Sequence, residues 1–281
     1  MTSAALAPII DVADLHEVLE TAGTRPVHLL DVRWALDGST GRHAYLEGHL
    51  PGAVYIDLDT ELAAPPSAEA GRHPLPDPEA FAASLRRAGV KDGSIVVAYD
   101  DTNGSPAGRL VWMLRALGHD AAVLDGGVDA WDGPLETGEI RAEPGDVPAR
   151  AWPAAQIATA DEVAAGEALI IDARAPERYR GEIEPIDPRA GHIPGAVNLP
   201  FTGNLSEGAR FLGPEELRER FEAAGVRPDQ DTIVYCGSGV TATHDVLALQ
   251  QAGYTKVRLF PGSWSQWSAD ASLPIATGPN P

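Results

Sequence analysis

The chain's single cysteine, Cys236, ends an apolar run, DTIVYC (231–236), and precedes Gly237-Ser238-Gly239 and a helical pattern. A thiol at the carboxyl end of a strand lies where parallel sheets bind their ligands. The glycines let the backbone curl so that successive N–H groups point inward. Val240 and Thr241 open the following helix. They add unpaired N–H groups and the positive end of the helix dipole. Such a loop favours a thiolate over a thiol and holds an anion against the sulfur. The expected chemistry is nucleophilic attack by Cys236 on a small anionic compound. A lone cysteine is more often inert and buried, but strand end, glycine loop and helix start together argue for a working one.

The elements that carry this loop occur twice. GHLPGAVYIDL (48–58) matches GHIPGAVNLPF (191–201), and VHLLDVRW (27–34) matches ALIIDARA (168–175). PEAFAASLRRAGVKDGSIVVAYD (78–100) matches PEELRERFEAAGVRPDQDTIVYC (214–236), and ALGHDAAVLDGGVDAW (116–131) matches QAGYTKVRLFPGSWSQW (251–267). Four blocks in one order are a tandem duplication whose period is that of a domain and not of a solenoid repeat. The expected fold is α/β: two tandem domains, each a mostly parallel sheet with helices on both faces. The expected division is an inactive domain at 1–140, a Pro- and Gly-rich linker at 141–156 and a catalytic domain at 157–281. In the second copy, strands are expected at 168–173, 231–236 and 257–260, and helices at 214–224 and 240–253.

The duplication also supplies an internal control. Asp100 stands opposite Cys236, and Asp100-Asp101-Thr102-Asn103-Gly104 has no thiol. The first loop is therefore expected to be structural.

Composition narrows the classes further. The chain has 281 residues, 44% of them apolar, and a formal charge of −20. So acidic a surface disfavours nucleic acid and anionic membranes as partners. An anionic substrate must be drawn in by a local positive site against that field. No apolar run reaches the ~20 residues of a membrane span. No signal peptide is recognised at the N-terminus, and one cysteine cannot form an internal disulfide, so a cytoplasmic protein is expected. No metal-ligand spacing is evident, no cofactor is required, and a monomer is expected.

Cys236-Gly237-Ser238-Gly239-Val240-Thr241-Ala242, with the repeated GH-x-PGA and LxDxR blocks, resembles the tandem-domain rhodanese family. The Gly-Ser-Gly loop is similar to that of its 3-mercaptopyruvate sulfurtransferases. The resemblance implies sulfur transfer in two displacements. The Cys236 thiolate takes sulfur from a small anionic donor, and the resulting persulfide passes it to cyanide, a thiol or a thioredoxin-like acceptor. It further implies that Arg178 binds the substrate carboxylate, with Arg189 as a second positive contact. Gly237, Ser238, Gly239, Val240 and Thr241 would line the donor site. Ser238 would be coupled to a histidine and an aspartate of the first copy, for which His49 and, loosely, Asp37 are the matches. His192 stands at the repeat-equivalent position of His49, which points instead to a shared structural role. Asp172 and Arg174 are assigned to holding the loop, Trp34 to a face turned toward the site, and Trp131 and Trp267 to the cores.

Two neighbouring readings keep the same thiol. Thiosulfate could be the donor, although no loop side chain after Cys236 brings the positive charge expected for a dianion. The chain could also be a noncatalytic persulfide carrier. A cysteine phosphatase is excluded, because no arginine closes the loop to clamp a phosphoryl group.

Overall fold

IVVAY (Ile95–Tyr99) and TIVY (Thr232–Tyr235) are buried at every residue. Such runs suit the middle of parallel sheets covered on both faces. The computed structural model, which describes residues 6–35 and 41–281, places each of them at the centre of a sheet. It divides into two compact units, Met1–Ala63 with Pro76–Trp152, and Ala64–Leu75 with Pro153–Pro281.

The first unit contains strands β1 (Ile9–Ile10), β2 (Val27–Asp31), β3 (Val54–Tyr55), β4 (Ile95–Tyr99) and β5 (Asp120–Leu124). Its helices are α1 (Val12–Thr21), α2 (Gly41–Glu47), α3 (Leu58–Glu61), α4 (Pro78–Arg87) and α5 (Ser105–Ala116). The sheet is parallel, in the order β1-β5-β4-β2-β3. The second unit contains β6 (Leu169–Asp172), β7 (Val197–Asn198), β8 (Thr232–Tyr235) and β9 (Val257–Leu259). Its helices are α6 (Ala160–Ala165), α7 (Pro176–Tyr179), α8 (Pro214–Ala223), α9 (Thr241–Gln251) and α10 (Ser263–Ala269). The order β7-β6-β8-β9 repeats the first sheet, and a parallel bridge from Ile157 to Leu259 stands where β1 stands there. Among the described residues no helix is long and apolar enough to cross a membrane.

The helices begin and end where local chemistry dictates. Asp77 caps α4, accepting from the N–H groups of Glu79 and Ala80, with Pro78 at the first helical position. Pro214 opens α8 in the same way. Gly225 and Gly253, at φ +91° and +93°, follow the ends of α8 and α9. Each core gathers under its sheet. Leu15, Leu29, Val97, Tyr99 and Leu124 lie in the first, and Ile170, Ile233, Tyr235, Trp264 and Trp267 in the second. Trp131 is only partly buried against the first core.

One element departs from a division at residue 140. Ala64–Leu75 lies in the first copy's sequence yet packs in the second unit. It forms a short strap closed by paired hydrogen bonds between Ser67 and Gly71. Gly71 sits at φ +88°, and a Cβ there would lie 2.6 Å from the Gly262 carbonyl oxygen. Only glycine allows so close an approach, so the strap is pinned against the start of α10.

The repeated blocks have a shared structural reason. Arg33 pairs with Asp31 (2.6 Å) and donates to the Gly48 carbonyl (2.6 Å). Arg174 does the same with Asp172 (2.6 Å) and Gly191 (2.7 Å). Each Asp-x-Arg ties the end of a strand to its GH-x-PGA turn through a buried ion pair. Removing one partner would strand the other charge.

Candidate active site

Cys236 directly follows β8 and is 2% exposed. Its loop is held from behind by the start of α10. Ser263 Oγ accepts from the Cys236 N–H (3.2 Å), while the N–H groups of Trp264 and Ser265 donate to the carbonyls of Cys236 and Gly237 (2.9 Å each). Gly239, at φ +78°, lies where a Cβ would be 2.4 Å from the Pro261 carbonyl oxygen. Only glycine fits that turn, and it aims the Gly239 N–H at Cys236 Sγ, 3.2 Å away. The N–H groups of Gly237, Ser238, Val240 and Thr241 have no hydrogen-bond partner among the described residues. Sulfur and unpaired donors therefore share one turn at the start of α9, as an anion site requires.

The first copy shows what the loop can hold. Asp100 occupies the position of Cys236, and its carboxylate accepts from the N–H groups of Thr102 (2.8 Å), Gly104 (2.9 Å) and Ala107 (2.9 Å). Burial pushes its pKa up, and the three N–H bonds and neighbouring Asp101 modulate that shift. The first loop thus fills its own N–H donors with a side-chain carboxyl group.

Two guanidinium groups flank the second loop. A Cβ on Gly237 would lie 3.2 Å from Arg72 Nη2 and 3.4 Å from Arg178 Nη1. Arg178, on α7, pairs with Glu184 (2.6 Å) and Asp187 (3.3 Å). The strap brings a further residue. His73 Nδ1 lies 2.8 Å from Ser238 Oγ, with both side chains buried.

Two residues expected at the site are held by other partners. Arg189 does not face the loop. It donates to the carbonyls of Trp267 (2.9 Å), Ser268 (2.7 Å) and Leu273 (3.1 Å), and also to that of Asp270. Four donors of its planar fork are taken by carbonyls of the last turn of α10 and of the segment that follows it. His49 is tied into its own unit. It is fully buried, stacks on Tyr45 at 4.2 Å and bonds the Tyr45 carbonyl through Nδ1 (2.9 Å). His192 repeats this with Tyr179, at 3.7 Å and 2.8 Å. A carbonyl only accepts, so Nδ1 carries the proton in both, and both Nε2 atoms are buried without a partner. Two copies of one arrangement are a fold feature. Asp37 lies outside the described residues. Trp34 donates to Asp59 (2.9 Å) within the first unit.

Sequence reasoning missed Arg72 and His73. Both lie in GRHPLP (71–76), within the stretch that is longer in the first copy than in the second. A histidine and an arginine in an unmatched insertion were the available signal.

Fold and site define a duplicated parallel α/β protein whose second copy carries a cysteine on an anion-holding loop. The chain belongs to the rhodanese family: the rhodanese-like domain model matches residues 12–133 and again 157–270. A Mycobacterium tuberculosis protein provisionally named thiosulfate sulfurtransferase SseB is 41% identical over 278 residues, 96% of this chain and 97% of its own. A Pseudomonas aeruginosa protein provisionally named 3-mercaptopyruvate sulfurtransferase is 45% identical over 261 residues, 89% of this chain and 92% of its own. Among solved structures, SseA from Escherichia coli, described as a 3-mercaptopyruvate sulfotransferase of rhodanese fold, is 34% identical with a TM-score of 0.78. That match covers 92% of this chain and 99% of SseA.

Proposed function

We propose that the chain is a sulfurtransferase that moves sulfur from 3-mercaptopyruvate through a Cys236 persulfide to a thiophilic acceptor, releasing pyruvate. One observation carries this reading. Cys236 Sγ accepts an N–H from Gly239 in a turn with four further N–H groups that have no partner among the described residues, beside the Arg178 guanidinium.

The reaction follows from that geometry. The thiolate attacks the donor sulfur, and an S–S bond forms as the S–C bond breaks. The electron pair goes to carbon, giving the enolate of pyruvate, and the proton lost by the donor thiol balances the one the enolate takes up, so the persulfide is left as an anion. Arg178 holds the donor carboxylate. The Ser238 hydroxyl, set by His73, donates toward the developing enolate oxygen. The loop N–H groups stabilise the persulfide anion left on Cys236. An acceptor thiolate then attacks the outer sulfur and restores Cys236. A small thiol, cyanide or a thioredoxin-like protein has the required nucleophile. The free thiol suits a reducing, cytoplasmic setting.

The names of the relatives divide between two donors. The loop favours 3-mercaptopyruvate, because Gly237-Ser238-Gly239 carries no cationic side chain for a dianion such as thiosulfate. The test is intact mass of the reduced protein and of Cys236→Ser after each donor, followed by sulfur release to a thiol. One sulfur added to wild type alone, faster from 3-mercaptopyruvate, is expected. Faster loading from thiosulfate would overturn the donor. No loading from either would leave a persulfide carrier as the better reading.

A further inference from the structure

The two arginines beside Gly237 share one acidic partner. Asp187 Oδ1 accepts from Arg72 Nη1 (2.6 Å), and Asp187 Oδ2 accepts from Arg178 Nη2 (3.3 Å). The Asp187 side chain is 4% exposed and that of Glu184, the other partner of Arg178, 3%. Glu184 also pairs with Arg174 (3.5 Å), whose own partner is Asp172, so the three arginine charges are balanced by three nearly buried carboxylates. The nitrogens nearest the Gly237 Cβ position are Arg72 Nη2 (3.2 Å) and Arg178 Nη1 (3.4 Å), with the paired Arg178 Nη2 slightly farther at 3.7 Å. Arg72 Nη2 and Arg178 Nη1 have no acceptor among the described residues. The Nε atoms of both arginines are also buried without a partner. Two unfilled donors from two separate guanidinium groups therefore converge on the glycine next to Cys236.

The position of Arg72 is built in. Its N–H donates to Ser265 Oγ (3.0 Å), and the preceding Gly71 is pressed against Gly262. The following residue, His73, contacts Ser238. Gly237 supplies the room, since any side chain there would crowd both arginines.

We propose that Arg72 is a second donor-carboxylate contact, paired with Arg178 across Gly237, and that Asp187 sets a preference for donors with one negative charge over those with two. One carboxylate oxygen takes Arg72 Nη2 and the other Arg178 Nη1. Because Asp187 and Glu184 already neutralise the pair, a monoanion is held by charged hydrogen bonds, while the second charge of a dianion meets no compensating cation. Specificity then comes partly from a repulsive element. The inference rests on the sulfurtransferase reading for the donor's identity, but Arg72 can be tested without it.

Two readouts on Arg72→Gln, Arg72→Lys and Asp187→Asn decide the matter. The first is alkylation of Cys236 by iodoacetate and by iodoacetamide, which differ in a carboxylate and need no turnover. Arg72→Gln should lower the iodoacetate-to-iodoacetamide rate ratio roughly tenfold, the effect of one lost charged hydrogen bond, and Arg72→Lys should restore part of it. The second is steady-state transfer from 3-mercaptopyruvate and thiosulfate. Arg72→Gln should raise KM for 3-mercaptopyruvate by more than it lowers kcat. Asp187→Asn should raise thiosulfate kcat/KM relative to 3-mercaptopyruvate by roughly tenfold. An unchanged alkylation ratio in Arg72→Gln, or an equal fall with both reagents, would overturn the Arg72 assignment. An unchanged donor preference in Asp187→Asn would overturn the role of Asp187. If wild type transferred sulfur from neither donor, the sulfurtransferase reading would fail on its own, and the alkylation ratio would still decide Arg72.

Discussion

Asp100 and Cys236 occupy the same place in two copies of one loop, and each accepts backbone N–H bonds there. The Asp100 carboxylate takes three, and Cys236 Sγ takes one, from Gly239. The loop is an anion holder in both copies. In the first, the anion is a side chain that never leaves. In the second, the sulfur accepts one N–H, and further N–H groups remain for a donor or a persulfide. The two copies keep one backbone arrangement and fill it with different side chains.

Replacing Asp100 should therefore cost stability rather than chemistry. Asp100→Ala would leave the N–H groups of Thr102, Gly104 and Ala107 unpaired in a buried site. The expected loss is about 2–3 kcal/mol in urea unfolding. Sulfur loading of Cys236 should be retained under native conditions. Unaltered unfolding would show that the carboxylate does not fill the loop.

The contact between His73 and Ser238 makes a different prediction. If the histidine acts only by orienting the hydroxyl, the two residues form one unit. His73→Ala and Ser238→Ala should each lower kcat with 3-mercaptopyruvate roughly 10–100-fold, the usual size for positioned proton transfer. The double variant should be little slower than the slower single one. Multiplying effects would mean independent roles, and losses confined to KM would mean that the pair binds donor rather than assisting the chemistry.

Arg178 and Arg189 separate binding from support. Arg178→Ala removes a guanidinium beside Gly237 and should raise KM for 3-mercaptopyruvate roughly tenfold or more. Arg189→Ala uncaps the end of α10 and should instead lower unfolding free energy by about 2 kcal/mol. Its KM should stay near that of wild type. The reverse pattern in steady-state kinetics and thermal unfolding would restore Arg189 to the donor site.

The contrast between those two arginines marks where sequence reasoning reaches and where it stops. The strands, the helix bounds to within two or three residues and the place of Cys236 follow from apolar runs, Pro and Gly punctuation and the repeat. These are local signals, repeated twice. The partners of Arg189 were not legible, because a motif fixes only the chain position of a side chain, and carbonyls in and after the last turn of α10 take its donors. His49 was legible through His192, since a residue kept in both copies cannot explain a site found in one. Arg72 and His73 were not legible, because a strap from the first copy's sequence packs against the second unit's loop, and no period or propensity encodes that contact.

The buried acid on α9 carries a pH signature of its own. Asp245 is fully buried. One carboxylate oxygen accepts from Asn204 Nδ2, and the other has no partner among the described residues. Asn204 is itself held by Arg220 Nε (3.0 Å) and lies beside His244, while Asp172 adds repulsion. Burial, opposed by the Asn204 bond and the Arg220 charge, raises the Asp245 pKa from 3.8 to about 7. The folded state thus binds this proton more tightly than the unfolded one. Its stabilisation is fully present below pH ~4 and is lost as pH rises toward ~7. Asp245→Asn mimics the protonated acid at every pH and should remove that slope. Urea unfolding of both proteins at pH 5 and pH 8 should show wild type losing about 3 kcal/mol relative to the variant over the interval. Parallel pH dependence in the two proteins would mean that Asp245 is ionised in the folded state throughout, with its second oxygen satisfied by water.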